Sequence, residues 1–372
     1  MKIVHVNGYF SDAMMYQENY LLKGLVELGH EAVLITGRFE PEFSFNKSSR
    51  IKNVGVTNYF GSKIYRVKEF FEIKNSLVFF VPFFNILSKE KPDIIFFHGI
   101  SPNILYGLIY KLLNKDVKLH LDFHTTFSNS GQSRFSSVFH SGCKLFCKIF
   151  HRQFEKIFCI APECKEFAIK VYSLPEEHLT ILPLPGTKYE DTTYNDKRDR
   201  FRSKHKVQGA VVFCHVGKMP EDKETLLVLK AFSNVRDKNV RLFLGGSVES
   251  DFKNIIEKYC NQDDRVTYLG WLSQESLSDL MCGSDTMIQP GSLSQVFVDA
   301  ICSRLPLILD DTPQGNYLLS NGNGVVCQRS IESIQDAFNS LLDERARNKF
   351  KANAIQSSEV YDYRYISMLT VQ

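Results

Sequence analysis

Two lysines five residues apart, Lys218 and Lys223, bracket a turn in the stretch VVFCHVGKMPEDKETLLVLKAF. The apolar run Val211–Val216 predicts a strand, Gly217 predicts a tight turn, and the residues after Glu221 predict a helix. The backbone N–H groups and the dipole of a helix start attract anions, and two lysines add the charge that a diphosphate needs. The turn thus has what a phosphate-binding site needs, although the spacing alone favours the alternative. Two solvent-exposed lysines without a ligand are the alternative, since that is the commoner use of lysine.

A second strand–turn–helix unit follows in the stretch SDTMIQPGSLSQVFVDAICSRLPLILDD. The start of its helix would offer N–H groups and the hydroxyls of Ser292 and Ser294 to the same anion. Asp299 places a carboxylate on this helix, and a helical surface aspartate is the alternative interpretation. The predicted elements are a strand at Thr286–Gln289, a turn at Pro290–Gly291, a helix through Val296–Ala300 and a buried strand at Leu305–Leu309.

In the first half of the chain, His124 follows the predicted strand Val117–Asp122. Ligands of α/β domains bind at the carboxyl edge of the strands, so this histidine is a candidate for the site. Packing against the sheet, or capping of a loop, is the alternative role for a single histidine. His98 also ends a strand but is less well placed, and His5 lies inside the first strand, where a core position is expected.

Composition limits the classes of function. The chain has 372 residues, is 44% hydrophobic and 23% charged, and carries a formal net charge of only +3, so it does not indicate a nucleic-acid-binding protein. The nine cysteines include no CxxC pair and have no partners at zinc spacing. We therefore expect reduced, buried thiols and no metal site.

The order of elements predicts an α/β fold in two domains, because strands and helices alternate along the whole chain. We place the first domain at residues 1–186, a polar linker at 187–209, the second domain at 210–343 and a helical segment at 344–372. A helix is predicted over Lys74–Glu90. The opening strand runs into Gly8 but lacks GxGxxG, so a dinucleotide-binding domain is not supported.

The N-terminus MKIVHVNGYF predicts a strand rather than a signal peptide, and no apolar run has transmembrane length, so a cytoplasmic location is expected. Residues 143–157 predict a helix that carries apolar residues such as Leu145 beside the basic Lys144, Lys148 and Arg152. An amphipathic helix packed on its domain is the first interpretation. A helix that touches anionic lipid headgroups is the alternative.

Five segments of the second half, in this order, make the chain resemble glycosyltransferase family 4, the group 1 glycosyltransferases. They are GKMPEDK with its helix, LFLGG at Leu242–Gly246, VTYLGWL at Val266–Leu272, SDTMIQPGS and DAICSRLPLIL; LVELGHEAVLIT resembles the family's opening. The resemblance implies the GT-B architecture: two Rossmann-like, doubly wound domains that face a cleft. The first domain would serve the acceptor and the second would bind a nucleotide-sugar donor.

Roles for single residues follow from the same resemblance. Lys218 and Lys223 match the two basic positions that bind the donor diphosphate, and His124 matches a histidine that faces the transferred sugar. These three are the expected catalytic residues. The expected donor-binding residues are Gly8, Gly217, Lys218, Lys223, Gly291, Ser292, Ser294 and Asp299.

The chain departs from the family at two positions. The family has two glutamates eight residues apart, and here the first falls on Gly291 and the second on Asp299. Asp299 keeps the carboxylate that would hold the ribose hydroxyls, one methylene shorter. Gly291 removes the carboxylate that meets the donor sugar, and backbone groups or the hydroxyls of Ser292 and Ser294 are the expected substitutes.

The implied activity is hexosyl transfer from a nucleoside-diphosphate sugar to a growing glycan, with retention at the anomeric carbon and without a metal or other cofactor. The acceptor would be a cell-surface polysaccharide, a lipopolysaccharide or a lipid-linked glycan, and the enzyme would work in the cytoplasm or at the inner face of the membrane. By the same resemblance, the last segment would pack back onto the first domain.

Two other functions stay open from the sequence. The same fold serves other nucleotide-sugar chemistry, such as that of an epimerase or a phosphorylase. A catalytically degenerate sugar- or nucleotide-binding partner protein would also fit, with Gly291 as the sign of lost catalysis.

Overall fold

The computed structural model describes residues 1–41, 50–73, 77–131, 133–219, 224–248, 250–291 and 294–372. The chain divides into two compact units. The first contains Met1–Leu184 and Tyr363–Gln372, and the second contains Pro185–Asp362. Each unit carries its own parallel sheet, so the α/β prediction is confirmed.

The first unit is built around an eight-stranded sheet with the order β10-β9-β8-β7-β1-β2-β4-β3. All neighbours are parallel except the hairpin β3–β4, and β5 and β6 form a separate antiparallel pair. The strands are β1 Lys2–Asn7, β2 Glu31–Thr36, β3 Gly55–Tyr59, β4 Ser62–Arg66, β5 Glu69–Ile73, β6 Leu77–Phe80, β7 Ile94–His98, β8 Lys118–Phe123, β9 Lys156–Cys159 and β10 Leu179–Ile181. Its first five helices are α1 Gln17–Glu27, α2 Phe84–Glu90, α3 Ile104–Leu113, α4 Arg134–Phe150 and α5 Pro162–Lys170.

The second unit has a fully parallel sheet with the order β13-β12-β11-β14-β15-β16. These strands are β11 Val211–Val216, β12 Val240–Gly245, β13 Val266–Tyr268, β14 Thr286–Ile288, β15 Leu307–Asp310 and β16 Gly324–Cys327. The remaining helices are α6 Asp191–His205, α7 Glu224–Ser233, α8 Ser250–Gln262, α9 Gln274–Gly283, α10 Gln295–Cys302, α11 Pro313–Leu318, α12 Ile331–Ser340, α13 Glu344–Tyr361 and α14 Tyr363–Leu369.

The central strands are mostly apolar because helices cover both faces of a parallel sheet. In β7, Ile95, Phe96 and Phe97 are all fully buried. In β11, Phe213 is fully buried in the core of the second unit, where its ring meets the edge of Phe338 from α12. Burying one such side chain stabilises the fold by roughly 1.5–3 kcal/mol.

The predicted linker at 187–209 is wrong, because Asp191–His205 form helix α6 of the second unit. Its charges are not simply solvated: Arg202 donates to Asp285 at 2.6 Å and to the Gly283 carbonyl at 2.9 Å. The buried ring of Phe201 packs so closely on Gly283 that a Cβ there would lie 2.4 Å from it. The charge-dense segment is therefore a helix, which ion pairs and the buried ring of Phe201 hold on the second unit.

The prediction of one helix over Lys74–Glu90 is wrong. Leu77–Phe80 form strand β6, and the helix begins only at Phe84. Residues 74–76 lie outside the described residues. Pro82 separates the two elements, because a proline removes a backbone donor and biases the residue before it away from the helix. The aromatic and β-branched run LVFF favours a strand.

The segment predicted as helical at 344–372 is divided between the units. Helix α13 belongs to the second unit, whereas Tyr363–Gln372, with helix α14, belong to the first. The Tyr363 hydroxyl donates to Glu27 of α1 at 2.6 Å, and a Cβ on Gly24 would collide with Ser367. The missing side chain at Gly24 lets α14 lie directly on α1.

Candidate functional site

The order of strands marks a candidate site in the second unit. From β11 the chain proceeds outward through β12 and β13, and it then returns to β14 on the other side of β11. The crevice at the carboxyl ends of such a pair is where open parallel sheets bind ligands. Gly217 follows β11 and Gly291 lies three residues beyond β14, so both predicted turns border this crevice.

Backbone geometry fixes the turn after β11. Gly217 has a φ of +129°, and its N–H donates to the Gly245 carbonyl at 2.9 Å. Gly246 approaches so closely that a Cβ there would lie 1.8 Å from the Gly217 oxygen. Met219 is buried, and its N–H donates to the Ser247 carbonyl at 2.9 Å. Lys218, between Gly217 and Met219, is exposed. Hydrogen bonds thus fix the backbone of this turn, and the Lys218 side chain points outward.

Lys223 and Ser292 lie outside the described residues. Ser294 stands at the residue before α10, in an extended conformation, so the helix starts where the sequence predicts it. The structure therefore brings Gly217, Lys218, Gly291 and Ser294 to the loops after two neighbouring strands.

Asp299 is buried on α10, which contradicts the alternative interpretation of a surface aspartate. Gln295 on the preceding turn donates to the Pro185 carbonyl at 2.6 Å and approaches the Asp299 carboxylate at 3.4 Å. Among the residues that the structure describes, two buried amide oxygens beside this helix start have no hydrogen-bond partner, those of Gln289 and Gln295. Unpaired buried acceptors are costly and point to a polar ligand.

Sequence reasoning missed Glu224, the first residue of α7, whose carboxylate lies over Gly291. Its Oε2 is 2.8 Å from the position that a Cβ on Gly291 would take. Its Oε1 accepts from Arg329 at 2.8 Å, and the same guanidinium donates to the buried Asp310 at the end of β15, also at 2.8 Å. No spacing in the sequence signals this meeting, because it depends on how α7 packs.

His215 joins the two sides of the same crevice. Its Nδ1 donates to the Ile288 carbonyl at the end of β14 at 2.8 Å, and its Nε2 lies 2.9 Å from the hydroxyl of Thr225 on α7. Burial lowers the pKa of His215 to about 4, so the ring is neutral at pH 7. A neutral ring donates once and accepts once, which both of these contacts require.

The first unit has an equivalent crevice between β1 and β7, where the order of strands also reverses. Gly8 follows β1 there, and its carbonyl accepts the N–H of Gly37 at 3.3 Å. A Cβ on Gly8 would lie 3.3 Å from Val78 of β6, so the position is closely covered. His98 ends β7 and thus lies nearer this crevice than His124, which follows the next strand, β8.

A chain of polar contacts joins the two histidines through Asp122. His98 Nδ1 donates to Asp122 Oδ2 at 2.8 Å, the Gly99 N–H donates to Oδ1 at 3.0 Å, and His124 Nε2 lies 3.1 Å from Oδ1. His5 extends the chain, since its Nδ1 lies 3.0 Å from His98 Nε2. Sequence reasoning missed Asp122, although the DFH triplet places it two residues before His124, on the same side of the strand.

Asp122 and His124 shift each other's pKa. Burial alone would raise the pKa of Asp122, but His124 and His98 hold it below its usual range. Burial alone would lower the pKa of His124, but the Asp122 carboxylate raises it above the ordinary value. Although the Nε2 atom of His124 is buried, its side chain is 42% exposed, so the rest of the ring faces outward.

The donor atoms of His98, Asp122 and His124 lie within 4.8 Å of one another, a spacing that a metal ion would also accept. The short contact between His98 and Asp122 already pairs two of these atoms as a hydrogen bond. His98 and Asp122 thus form a hydrogen-bonded pair, whereas the buried His124 Nε2 lies near Oδ1 without a hydrogen-bond partner among the described residues.

The helix predicted over 143–157 begins earlier and ends at Phe150. Its apolar residues are not all packed: Leu145 and Ile149 are exposed beside the exposed Lys144 and Lys148. At the end of α3, Leu112 and Leu113 are 74% and 79% exposed. Lys111 of α3 donates to the Gln153 carbonyl just after α4 at 3.0 Å, so the two helix ends adjoin. We call Leu112, Leu113, Lys144, Leu145, Lys148, Ile149 and Arg152 the apolar–basic patch.

Within the described part of the chain, no helix is both long enough and apolar enough to cross a bilayer.

The fold is that of known glycosyltransferases. HepE of Anabaena, solved with UDP and glucose, superimposes with a TM-score of 0.67 at 13% identity, covering 100% of this chain and 98% of its own. Sucrose-phosphate synthase of Thermosynechococcus elongatus gives 0.70 at 14%, covering 100% and 97%. WaaG, a glycosyltransferase involved in lipopolysaccharide biosynthesis, gives 0.60 at 16%, covering 100% and 98%. At these identities the similarity establishes a shared fold, GT-B.

No curated protein sequence matches the chain significantly. Two family models do match: "Glycosyltransferase Family 4" over residues 19–185 and "Glycosyl transferases group 1" over residues 196–357. Between them the two matches cover most of both units, in the order that the family requires. The chain belongs to glycosyltransferase family 4, the group 1 glycosyltransferases.

Proposed function

We propose that the protein transfers a hexose from a nucleoside-diphosphate sugar to a growing glycan, with retention of configuration and without a metal ion. The observation that carries this proposal is the position of Gly217, Lys218 and the start of α10 at the reversal point of the second sheet. Family membership supports the reaction class. The UDP bound to HepE supports the type of donor.

The second unit would bind the donor. When the bond between the anomeric carbon and the diphosphate breaks, negative charge grows on the leaving oxygen. Lys218, Lys223 and the N–H groups at the start of α10, near Ser292 and Ser294, would stabilise that charge, each charged hydrogen bond contributing roughly 1.5–3 kcal/mol.

Two further groups would orient the donor. Asp299 would accept the ribose hydroxyls, directly or through water. The backbone at Gly217 and Gly291 would let the diphosphate approach closely, because neither residue has a side chain.

In the first unit, His124 would act on the transferred sugar, and Gly8 would line the crevice between β1 and β7. The outward side of the His124 ring can donate a hydrogen bond to a sugar hydroxyl, and the Asp122 carboxylate favours the charged form of the ring by raising its pKa. The acceptor oxygen would form the new bond to the anomeric carbon, and its proton would pass to the departing diphosphate. No protein nucleophile is needed in this scheme.

Calorimetric binding of UDP, GDP, dTDP and ADP in EDTA tests the donor site. We expect one nucleotide to bind, and the double variant Lys218→Ala/Lys223→Ala to lose on the order of 3 kcal/mol, over a hundredfold in affinity. Lys258→Ala, a lysine on the same unit in α8, is the matched control and should bind normally. Absence of binding by all four nucleotides would remove the basis of the proposal.

Turnover then separates the remaining alternatives. Consumption of the donor without an acceptor and without hydrolysis would indicate epimerase-type chemistry, and release of a sugar phosphate would indicate a phosphorylase. Tight donor binding with no turnover on any glycan would indicate a partner protein instead of an enzyme.

The apolar–basic patch would bring the enzyme to a lipid-linked acceptor at the inner face of a membrane. Exposed leucines and isoleucine can enter the headgroup region while the lysines and Arg152 meet anionic lipid. Flotation with vesicles of phosphatidylglycerol and phosphatidylcholine tests this. Lys144→Ala/Lys148→Ala/Arg152→Ala should weaken flotation, and a vesicle of phosphatidylcholine alone should bind less. Equal flotation of wild type and variant, or none by either, would contradict it.

A further inference from the structure

We infer that Glu224 is the residue that recognises the donor sugar, and that it supplies from α7 the carboxylate that Gly291 cannot supply. The inference rests on the proposed function, because it assigns a residue to the sugar end of that donor site. It begins from one geometric fact: Oε2 of Glu224 lies 2.8 Å from the place where a side chain on residue 291 would begin.

The place itself is where a ligand is expected. Gly291 follows β14 and the turn at Gly217 follows β11, the two strands at which the sheet order reverses. A carboxylate over Gly291 therefore lies in the crevice where a parallel sheet binds its ligand. Gln289 precedes this turn and Gln295 begins the helix after it, and the buried side-chain oxygens of both have no partner among the described residues.

The carboxylate is held in position from two directions. Arg329 fixes Oε1 at 2.8 Å and is itself anchored on the buried Asp310. His215 ties Thr225, the next residue on α7, to Ile288 at the end of β14. These contacts hold Glu224 in place relative to β14 and β15. A side chain that recognises a ligand needs such support to discriminate between ligands.

The charges favour one class of sugar. Glu224 and Asp310 share the Arg329 guanidinium, so two carboxylates and one cation border this place. A carboxylate accepts hydrogen bonds from hydroxyl groups and repels another carboxylate. The geometry points to a neutral hexose with free hydroxyl groups as the transferred sugar, and it disfavours a uronic acid.

The test compares a nucleoside diphosphate with its sugar conjugates by calorimetry. Once one of UDP, GDP, dTDP and ADP has been found to bind, its available conjugates, such as UDP-glucose and UDP-glucuronic acid or GDP-mannose, are measured on each variant. Glu224→Gln and Glu224→Ala should weaken the best neutral conjugate by at least about tenfold and change the affinity of the free diphosphate by less than about twofold. Glu257→Ala, an exposed carboxylate on α8, is the matched control.

An exchange of the two residues is the decisive variant. Gly291→Glu alone should weaken the conjugate, because its side chain meets the Glu224 carboxylate. Adding Glu224→Gly should restore binding to within a few-fold of wild type, since one carboxylate then occupies the same place.

The outcomes are distinguishable. If no diphosphate binds, the proposed function fails and this inference fails with it. If a diphosphate binds and the Glu224 variants hold the conjugate as tightly as wild type, the donor site stands and this inference is overturned. An equal loss for diphosphate and conjugate would also overturn it, because Glu224 would then only maintain the fold of the loop.

Discussion

Replacing the buried His215 by glutamine should remove a pH-dependent part of the stability of the second unit. The ring is fully buried, and burial lowers its pKa to about 4, against about 6.5 for an exposed histidine. The unfolded chain therefore binds a proton on His215 at a higher pH than the folded chain does. Stability from the neutral ring is complete above about pH 6.5 and is lost as the pH falls from there towards about 4.

The size of the effect follows from the two pKa values. One pKa unit corresponds to about 1.4 kcal/mol, so lowering the pH from 7 to 5 should cost the wild type roughly 2 kcal/mol through His215 alone. The variant loses two buried hydrogen bonds and should be less stable than wild type at pH 7. Between pH 7 and pH 5, the variant should lose about 2 kcal/mol less stability than the wild type loses.

The single tryptophan makes this measurable in the full chain. Trp271 lies in the second unit, so its fluorescence during urea denaturation follows that unit without the first. His205, on α6 of the same unit, also has a pKa lowered by burial but is less buried, and His205→Gln is the control. Parallel loss of stability in wild type and His215→Gln between pH 7 and pH 5 would refute the reasoning, because His215 would then titrate as an exposed histidine.

Three further outcomes are expected. Asp122→Asn should lower the pKa of His124, measured by NMR titration of its ring protons, because burial then acts without the opposing carboxylate; an unchanged pKa would show that the contact is not electrostatic. Gly246→Ala should lower the melting temperature of the chain by several degrees and weaken nucleotide binding, since its Cβ would lie 1.8 Å from the Gly217 oxygen at a φ of +142°. Asp285→Ala should cost the second unit about 3 kcal/mol in urea titrations followed by tryptophan fluorescence, because two arginines of α6 lose their carboxylate.

The sequence predicts the central elements well where local signals agree. Val211–Val216 forms the predicted strand β11, and the strand after Pro92 is a buried central strand. Apolar runs without alternation indicate a parallel sheet because both faces are covered. The family resemblance then supplied the order of the units, which local patterns do not contain.

Local signals failed where long-range contacts decide the structure. The charge of α6 is typical of a linker, but its arginines pair with Asp285, which follows α9. The hairpin Gly55–Tyr59 and Ser62–Arg66 extends the first sheet from a region without clear periodicity. Neither the ion pairs nor the edge pairing leaves a pattern within one segment.

The candidate site shows the same division. Gly217, Lys218 and the start of α10 were predicted from spacing, because a turn followed by a helix is a local feature. His124 was ranked above His98 because of the family resemblance, whereas strand order brings His98 closer to the crevice and Asp122 connects the two. Strand order is set by the whole sheet and is not visible in any one motif.

Gly291 shows why comparing residues position by position misjudges such a site. Judged by its own position, the glycine lacks the acid that the family resemblance implies, and it leaves open a protein that binds but does not catalyse. In the structure a carboxylate stands over that glycine, delivered by Glu224 from the helix that faces it and held there by Arg329. A donor sugar would meet the charge and the acceptor atoms of that group, whichever loop carries it. If Glu224 recognises the sugar, Gly291 does not count for the non-catalytic alternative. Exchanging residues 224 and 291 tests whether recognition depends on where the carboxylate lies in space or on which residue carries it.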